Sequence, residues 1–390
     1  MDTEAIRQRV VDDIDRRADL LLEVSHQIHA NPELCFEEHF AHRLLADTLE
    51  RSGIEVTRAA YDLPTAFDAR VGTAGPLVAV VCEYDALPGI GHACGHNIIA
   101  AAGLGAALAL APLATEVGGR LAILGTPAEE GGGGKVFMIE RGAFDGVDAS
   151  MMIHPAGAEL RSMQTLAIHQ VKVDYRGAAA HAAAAPWLGA NALDAMVLGY
   201  NNVAALRQHI RPDERVHGIF TRAGDKPNIV PEHTEAHWYV RAANTARLEA
   251  LKDRVLACLT AGAVATGCQM QHSWVHPPYE NMIDNEPLLE RYVTHARRIG
   301  RDPVVPSGDL VVAGSTDMGN VSHRVPAIHP MVQAAPSGVA IHTAAFAVHA
   351  RAAIGDRAVI DGAKAMALTL LDLWLDDTYR AAVVATGPSS

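Results

Sequence analysis

The chain contains the stretch LVAVVCEYDALPGIGHACGHN at residues 77–97. Residues 77–82 form an unbroken apolar run, which is typical of a strand buried on both faces of a parallel sheet. Polar residues follow at once, first Asp85 and then Cys94 and His96 at the predicted start of a helix rich in small residues. Ligands of open α/β sheets bind beyond the carboxyl ends of the strands, and thiolate and imidazole suit zinc and similar metals. Alone the stretch is a moderate signal, because a glycine-rich turn can hold Cys and His by chance.

A second cluster lies in TPAEEGGGG at residues 126–134, which also follows an apolar strand. Adjacent glutamates in an extended chain point to opposite sides. We therefore expect one member of the pair Glu129 and Glu130 to bind metal and the other to face the substrate. The strand before the pair disfavours a solvated acidic turn. A phosphate loop is disfavoured because no Gly-Lys-Ser/Thr follows the glycines.

Two histidines extend this set. MMIHP ends an apolar strand with His154, and IHTAAF carries His342 in the later part of the chain. A lone histidine at such a place is usually structural. Here one thiol, three imidazoles and two carboxylates occur together, which is about what a two-metal hydrolytic site needs as ligands and base. The prediction of such a site depends on this co-occurrence.

The order of elements predicts an α/β chain with a mixed, mostly parallel sheet and helices on both faces. Strands alternate with helices in residues 1–165, and the alternation resumes in residues 277–390. Residues 166–276 have the order βαββαβ of a ferredoxin-like α+β module. We expect a catalytic metal-binding domain, residues 1–165 and 277–390, interrupted by a smaller lid or dimerisation domain. A free sheet edge in that module could pair with a second copy, which predicts a homodimer.

Composition narrows the function classes. The chain has 45 Asp+Glu against 32 Lys+Arg, a net charge of −13, which disfavours nucleic acid as a partner because no basic stripe exists. Five irregularly spaced cysteines suggest no disulfide framework and a reducing compartment. The N-terminus lacks an apolar signal-peptide core, so we expect a cytoplasmic protein. The apolar run from Ile98 to Leu113 is too short for a membrane span and predicts a buried helix.

Taken together, the segments resemble the M20 metallopeptidase family, in its amidohydrolase branch. The nearest group is that of peptidase M20 domain-containing protein 2 and aminobenzoyl-glutamate hydrolase-like proteins, as Thr316 indicates where other branches carry Glu. The likeness covers nearly the whole chain. The matching stretches are HQIHANPEL (26–34), EYDALPGIGHACGHN (83–97), GTPAEEGGGG (125–134), GSTDMGNVS (314–322) and HTAAF (342–346).

The resemblance implies a centre of two divalent metal ions, with zinc first and manganese, cobalt or nickel as alternatives. The implied metal ligands are Cys94, His96, Glu130, His154 and His342. The resemblance also implies that Glu129 is the general base, which activates the attacking water and later protonates the leaving amine. Asp85 matches a residue that does not bind the metal itself but supports the residues that do.

On the substrate side, His181 in GAAAHA (177–182) matches a histidine that stabilises the tetrahedral oxyanion, commonly in the partner subunit's site. Asn228 and Arg241 match positions that contact the substrate carboxylate, a role that suits the guanidinium fork. Ser315 is a further implied substrate-binding residue.

The sequence also departs from many relatives of the branch. Asn97 and Glu83 stand where those relatives carry Asp, and Val81 stands where they carry Arg. All five implied ligands stay intact, but the substrate of those relatives is not carried over.

The leading hypothesis is hydrolysis of an amide bond in an N-acyl amino acid, a dipeptide or a related amino-acid conjugate. A second hypothesis is an amide hydrolase that uses Cys94 as its nucleophile. The adjacent carboxylates argue against it, because a thiol nucleophile has no need of them. A third is a catalytically inactive binding protein with the same fold, which the intact chemical positions disfavour.

Overall fold

The computed structural model describes residues 2–307 and 313–388. It divides into two compact units, Met1–Gln164 with Met282–Ser390, and Thr165–Asn281. The inserted unit begins one residue before and ends five residues after the expected range of 166–276. Its last strand, Gln269–Tyr279, continues past the point at which the sequence pattern fades.

The first unit contains helices and short strands in alternation. Its helices are Thr3–Arg16, Ala18–Ala30, His39–Arg51, Ala60–Asp62 (3₁₀), His96–Val117, Gly134–Glu140, Glu286–Arg298, Met318–Ser322, Ala344–His349, Ala353–Leu375 and Asp377–Ala385. Its strands are Thr57–Arg58, Phe67–Val71, Leu77–Glu83, Arg120–Thr126, Ala149–Met151, His154–Ala156, Ala313–Gly314, Ala327–Ile328 and Met331–Gln333. A two-residue strand, Gln164–Thr165, spans the boundary.

A six-stranded sheet forms the centre of this unit. Its strand order is Thr57–Arg58, Phe67–Val71, Arg120–Thr126, Leu77–Glu83, Ala149–Met151 and Ala327–Ile328. The last four strands run parallel, and the first two pair antiparallel at one side. Every residue of Leu77–Glu83 is buried, as the unbroken apolar run predicts. The mixed, mostly parallel sheet is confirmed.

The helix His96–Val117 lies in the core of the unit. Its small residues let it pack closely, since a Cβ at Gly103 would stand 2.7 Å from Cys82 Sγ. This is the one helix in the described residues that is long and apolar enough to cross a membrane, and 89% of its apolar window is buried inside the protein. The burial fits the expected core helix.

The inserted unit is a four-stranded antiparallel sheet with two long helices. Its strands lie in the order Gln269–Tyr279, Ala167–Arg176, His233–Ala242 and Arg215–Arg222. Its helices are Ala192–Leu206 and Thr245–Thr266, with 3₁₀ turns at Pro186–Leu188 and Arg207–His209. Burial alternates along His233–Ala242, because one face packs on the helices and the other does not. The βαββαβ order therefore forms a ferredoxin-like module.

Three segments of the first unit, residues 54–57, 149–154 and 326–332, have the residue pattern of continuous strands, and the structure differs in each. The first strand begins only at Thr57. The other two are each interrupted, because the chain leaves the central sheet and pairs again as His154–Ala156 with Met331–Gln333. A helix over Thr3–Arg16, which the pattern does not predict, packs Ile6, Val10 and Ile14 into the core.

Candidate metal centre

Three neighbouring parallel strands place acidic and histidine side chains at one edge of the central sheet. Glu83 pairs with Thr126 in the sheet register, and Asp85 and Glu129 follow these strand ends by a few residues. The third strand ends at Met151, which pairs with Val80, and His154 comes three residues after that end. Carboxyl ends of parallel strands meet at one edge, which explains why these separate segments converge.

Cys94 and His96 enter from the loop that precedes the core helix. Gly95 lies between them with φ +82°, and a Cβ there would stand 2.5 Å from Pro155 Cγ. Only glycine adopts this conformation at little cost and fits this space. His96 is the first residue of the helix, as expected, and its side chain is fully buried.

His342 reaches the centre from a strained turn. Its φ is +62°, a left-handed conformation that costs a non-glycine residue of the order of 1–2 kcal/mol. Its backbone N–H donates to Ala93 O at 2.8 Å, and its Nε2 lies 3.2 Å from Glu130 Oε1. Strain of this kind persists where surrounding structure imposes it and is typical of functional sites.

The five implied ligands form two overlapping groups. The ligand atoms of Cys94, His96 and His154 lie within 4.8 Å of one another, and so do those of Cys94, Glu130 and His342. Cys94 Sγ and His154 Nε2 are 3.4 Å apart. The structure thus brings together all five side chains from four distant segments.

Two of the histidines are oriented by hydrogen bonds at their Nδ1 atoms. His96 Nδ1 lies 3.1 Å from Asp85 Oδ1, and His154 Nδ1 lies 2.8 Å from Pro155 O. Both oxygens only accept, so each Nδ1 donates and each Nε2 is left to face the centre. Among the described residues His96 Nε2 and Glu130 Oε1 are buried without an aligned hydrogen-bond partner, although His342 Nε2 lies 3.2 Å from Glu130 Oε1. Such atoms fit divalent cations.

The two adjacent glutamates differ in acidity. Burial and the negative charges of Glu83 and Glu130 raise the pKa of Glu129 well above its usual value. Burial acts in the same direction on Glu130, but the close contact with His342 and the attraction of His96 outweigh it and lower its pKa. One carboxyl is therefore suited to hold a proton and the other to stay ionised, which is the division that a base and a ligand need.

Burial also sets the state of the thiol and its neighbour. It raises the pKa of the Cys94 thiol well above its usual value. Burial, together with the charge of His96, lowers the pKa of His154 to about 3. A neutral thiol beside a neutral imidazole is a poor nucleophilic pair, whereas a bound cation stabilises the thiolate.

Asp85 links the two halves of the centre. Burial raises its pKa, but the hydrogen bond and charge of His96 outweigh burial and lower the pKa to about 2. Its Oδ2 accepts the backbone N–H of Glu130 at 2.9 Å. One ionised carboxylate thus orients a histidine and the following ligand together.

The local geometry of the glutamate pair differs from the expectation. Glu129 and Glu130 lie in a turn rather than in extended chain, so strand alternation does not separate them. Glu129 instead lies within 4.8 Å of Glu83 and His96 by its ligand atoms, whereas Glu130 groups with Cys94. The turn therefore places the two carboxylates in different groups of ligand atoms.

The substrate-side residues lie partly in the inserted unit. His181 and Asn228 are found on two paired segments, since Ala182 N donates to Asn228 O at 3.1 Å. Arg241 is half-buried in the strand His233–Ala242. Ser315 belongs to the first unit, before the short helix Met318–Ser322.

Sequence reasoning assigned no role to two charged residues at this centre. Lys135 is fully buried, and its Nζ contacts Glu83 Oε2 and lies 2.7 Å from Asp317 Oδ1. Lys135 directly follows the four glycines, and Asp317 lies inside GSTDMGNVS. This closeness to motif residues in the sequence was the one feature that could have pointed to a role for them at the centre. Their burial could not be read from that closeness.

The model of peptidase family M20/M25/M40 matches residues 79–372 of the chain. The Xaa-Arg dipeptidase of Mus musculus is 41% identical over 387 residues, covering 95% of this chain and 89% of that protein. A p-aminobenzoyl-glutamate hydrolase subunit of Escherichia coli is 30% identical over 446 residues, covering 96% and 90%.

A solved structure shares the fold. It is that of a Bacillus subtilis protein described as a dinuclear metal-binding peptidase from the M20 family. The TM-score is 0.73 at 20% identity, and the match covers 93% of this chain and 99% of that one.

Proposed function

Because the chain belongs to the peptidase family M20/M25/M40 and is a metal-dependent hydrolase, we propose that it cleaves the amide bond of a dipeptide, an N-acyl amino acid or a related amino-acid conjugate with two divalent ions. The names of the mouse and Escherichia coli relatives support substrates of this size. The observation that carries the proposal is the convergence of five ligand-type side chains, with buried polar atoms that face one another.

In this proposal the ions are held by Cys94, His96, Glu130, His154 and His342. The thiolate and imidazoles favour zinc, with manganese, cobalt or nickel as alternatives. Bound ions of this kind lower the pKa of a water molecule and polarise a carbonyl. The low pKa of Asp85 supports a permanent hydrogen bond to His96, which keeps Nε2 of that ring directed at the ions.

Glu129 is the proposed general base. It takes a proton from the attacking water and returns it to the nitrogen of the leaving amine. Its raised pKa supports this cycle, because a carboxyl group whose ionisation is unfavourable keeps the proton between the two steps. Glu130 suits the other role, since its lowered pKa favours the ionised form that a metal ligand needs.

Residues outside the centre bind the substrate in this proposal. Arg241 and Asn228 pair with the substrate carboxylate, Ser315 contributes a further polar contact, and His181 donates to the developing oxyanion. The exposure of His181 and of Ala183 and Ala184 after it suits a residue that completes the site of a partner subunit.

The proposed homodimer forms through the inserted unit. The strand Arg215–Arg222 lies at one edge of its sheet and exposes Ile219 and Phe220, at 66% and 39% of their surface. An exposed apolar edge strand readily pairs with another chain. We place this dimer in the cytoplasm, which the five free cysteines support.

A chelator-controlled hydrolysis screen tests the proposal. Purified protein is assayed against dipeptides, including Xaa-Arg dipeptides, and against N-acyl amino acids, before and after removal of metal. We expect activity that a chelator abolishes and that added Zn²⁺, Mn²⁺ or Co²⁺ restores. Chelator-resistant activity that is lost in Cys94→Ser would instead support the thiol nucleophile, and a metal-loaded protein inert to every substrate would support a binding protein.

A further inference from the structure

Glu83 uses only one of its two carboxylate oxygens in an ion pair with lysine. Its side chain and that of His96 are both fully buried. Oε2 contacts Lys135 Nζ, whereas Oε1 lies 3.1 Å from His96 Nε2. In the part of the chain that the structure describes, neither Oε1 nor that Nε2 has an aligned hydrogen-bond partner. Buried polar atoms without partners are costly, and a cation between them would satisfy both.

Lys135 fixes the direction in which this second oxygen points. Its ammonium lies between Glu83 Oε2 and Asp317 Oδ1, and its own backbone N–H donates to Asp317 Oδ2 at 2.9 Å. A fully buried ammonium is retained only where its partners are well placed. Glu83 is therefore held at one oxygen and presents the other to His96.

The negative charge around Glu83 also favours a bound cation. The ligand atoms of Glu83, His96 and Glu129 lie within 4.8 Å of one another. Lys135 contacts Glu83 and Asp317 directly and also interacts with the charge of Glu129, so one ammonium is shared among these carboxyl groups. Excess negative charge in a buried site is stabilised by a bound cation.

We propose that Glu83 is a sixth protein ligand of the metal centre, which shares the ion held by His96, and that Lys135 is the positioning residue that directs it there. This inference rests on the proposed two-metal function and extends it. The centre then has two unequal sides. The side of His96 and His154 then has an oxygen ligand as well, the side of Glu130 and His342 is unchanged, and Cys94 belongs to both.

Metal binding in the absence of substrate tests the inference. Metal-free protein is titrated with Zn²⁺ in a calorimeter, and with Co²⁺ while the thiolate-to-cobalt absorption is recorded. In Glu83→Gln we expect the ion held by His96 to bind at least ~10-fold more weakly than in the wild type. The other should keep its affinity and its thiolate absorption, because Cys94 is untouched. Glu83→Asp withdraws the oxygen by one methylene group, keeps the charge, and should weaken the same ion.

Asp372→Asn is the matched control, because Asp372 is a buried carboxylate of the same unit that pairs with Arg291 and His295. It should lower thermal stability and leave both metal affinities unchanged. If the folded Glu83 variants bind both ions within about twofold of wild type, the inference is overturned and the proposed function stands. A wild-type chain that takes up fewer than two ions would overturn both. Should Glu83→Gln not fold, Glu83→Asp decides alone.

Discussion

Glu38 Oε1 accepts the backbone N–H of Ala128 at 2.8 Å, directly before the glutamate pair of the metal centre. The same oxygen accepts the backbone N–H of Phe36 at 3.0 Å. Ala128 has φ +61° and Phe36 has φ +64°, so one carboxylate holds two strained residues. Its Oε2 accepts the hydroxyl proton of Thr65 Oγ1 at 2.8 Å. A residue from a much earlier segment of the chain therefore sets the path of the backbone into the site.

We predict that Glu38 makes folding stability depend on pH. Burial and the charge of Asp85 raise its pKa from 4.5 to about 7. An acid that ionises less readily in the folded chain contributes stability below pH 4.5, and this contribution is lost as the pH rises through 7. Relative to Glu38→Gln, the wild type should lose about 2–3 kcal/mol of unfolding free energy between about pH 4.5 and about pH 8. Urea unfolding at both pH values measures this, and parallel pH profiles for the two proteins would contradict it.

Glu129→Gln should separate chemistry from metal binding. The amide is nearly isosteric with the carboxyl but cannot take a proton, so we expect kcat to fall ~10²–10⁴-fold. The variant should keep two ions per chain, as measured by elemental analysis after gel filtration. Near-normal turnover in the metal-loaded variant would remove Glu129 as the base.

His181→Ala should lower kcat without loss of metal. A donor to the developing oxyanion contributes ~10²-fold, and the exposed position of His181 makes a folding defect unexpected. His272→Ala, at an exposed histidine of the inserted unit, serves as the control and should keep full activity. Equal activity of the two variants would exclude His181 from the reaction.

Gly95→Ala should damage both stability and the metal centre. A methyl group there meets Pro155 Cγ at 2.5 Å, in addition to the strain of φ +82°. Gly53→Ala isolates the strain, because Gly53 has φ +83° and no atom within 4 Å of the added carbon. We expect a loss of about 1 kcal/mol for Gly53→Ala and about 1–3 kcal/mol more for Gly95→Ala, with weaker Zn²⁺ binding only in the latter. Equal melting temperatures would show that the loop relaxes around the methyl group.

Sequence reasoning found the ligand-type residues because chain order and sheet geometry are linked. Parallel strands end at a common edge, so polar residues after Leu77–Glu83 and Arg120–Thr126 had to lie close together. The position of His342 had no such basis, since it comes from a loop far along the chain. Its place depended on the resemblance, and the structure puts its Nε2 beside Glu130.

The division between Glu129 and Glu130 shows where local reasoning fails. Period-two alternation predicts opposite directions in a strand, but the pair lies in a turn. Its geometry depends on Ala128 and on the distant Glu38, which hold a conformation that propensity disfavours. Tertiary contacts of this kind have no signature in a short window of sequence.

By itself, the sequence determined the α/β architecture, the inserted βαββαβ module and the residue types available for metal binding. These follow from hydrophobic periodicity and from the order of elements, which are local properties of the chain. Only the tertiary structure decided that Lys135 is buried between Glu83 and Asp317 and that one oxygen of Glu83 faces His96. A lysine and an acid in a sequence are surface residues by default, and long-range packing alone removes them from water and makes them face each other.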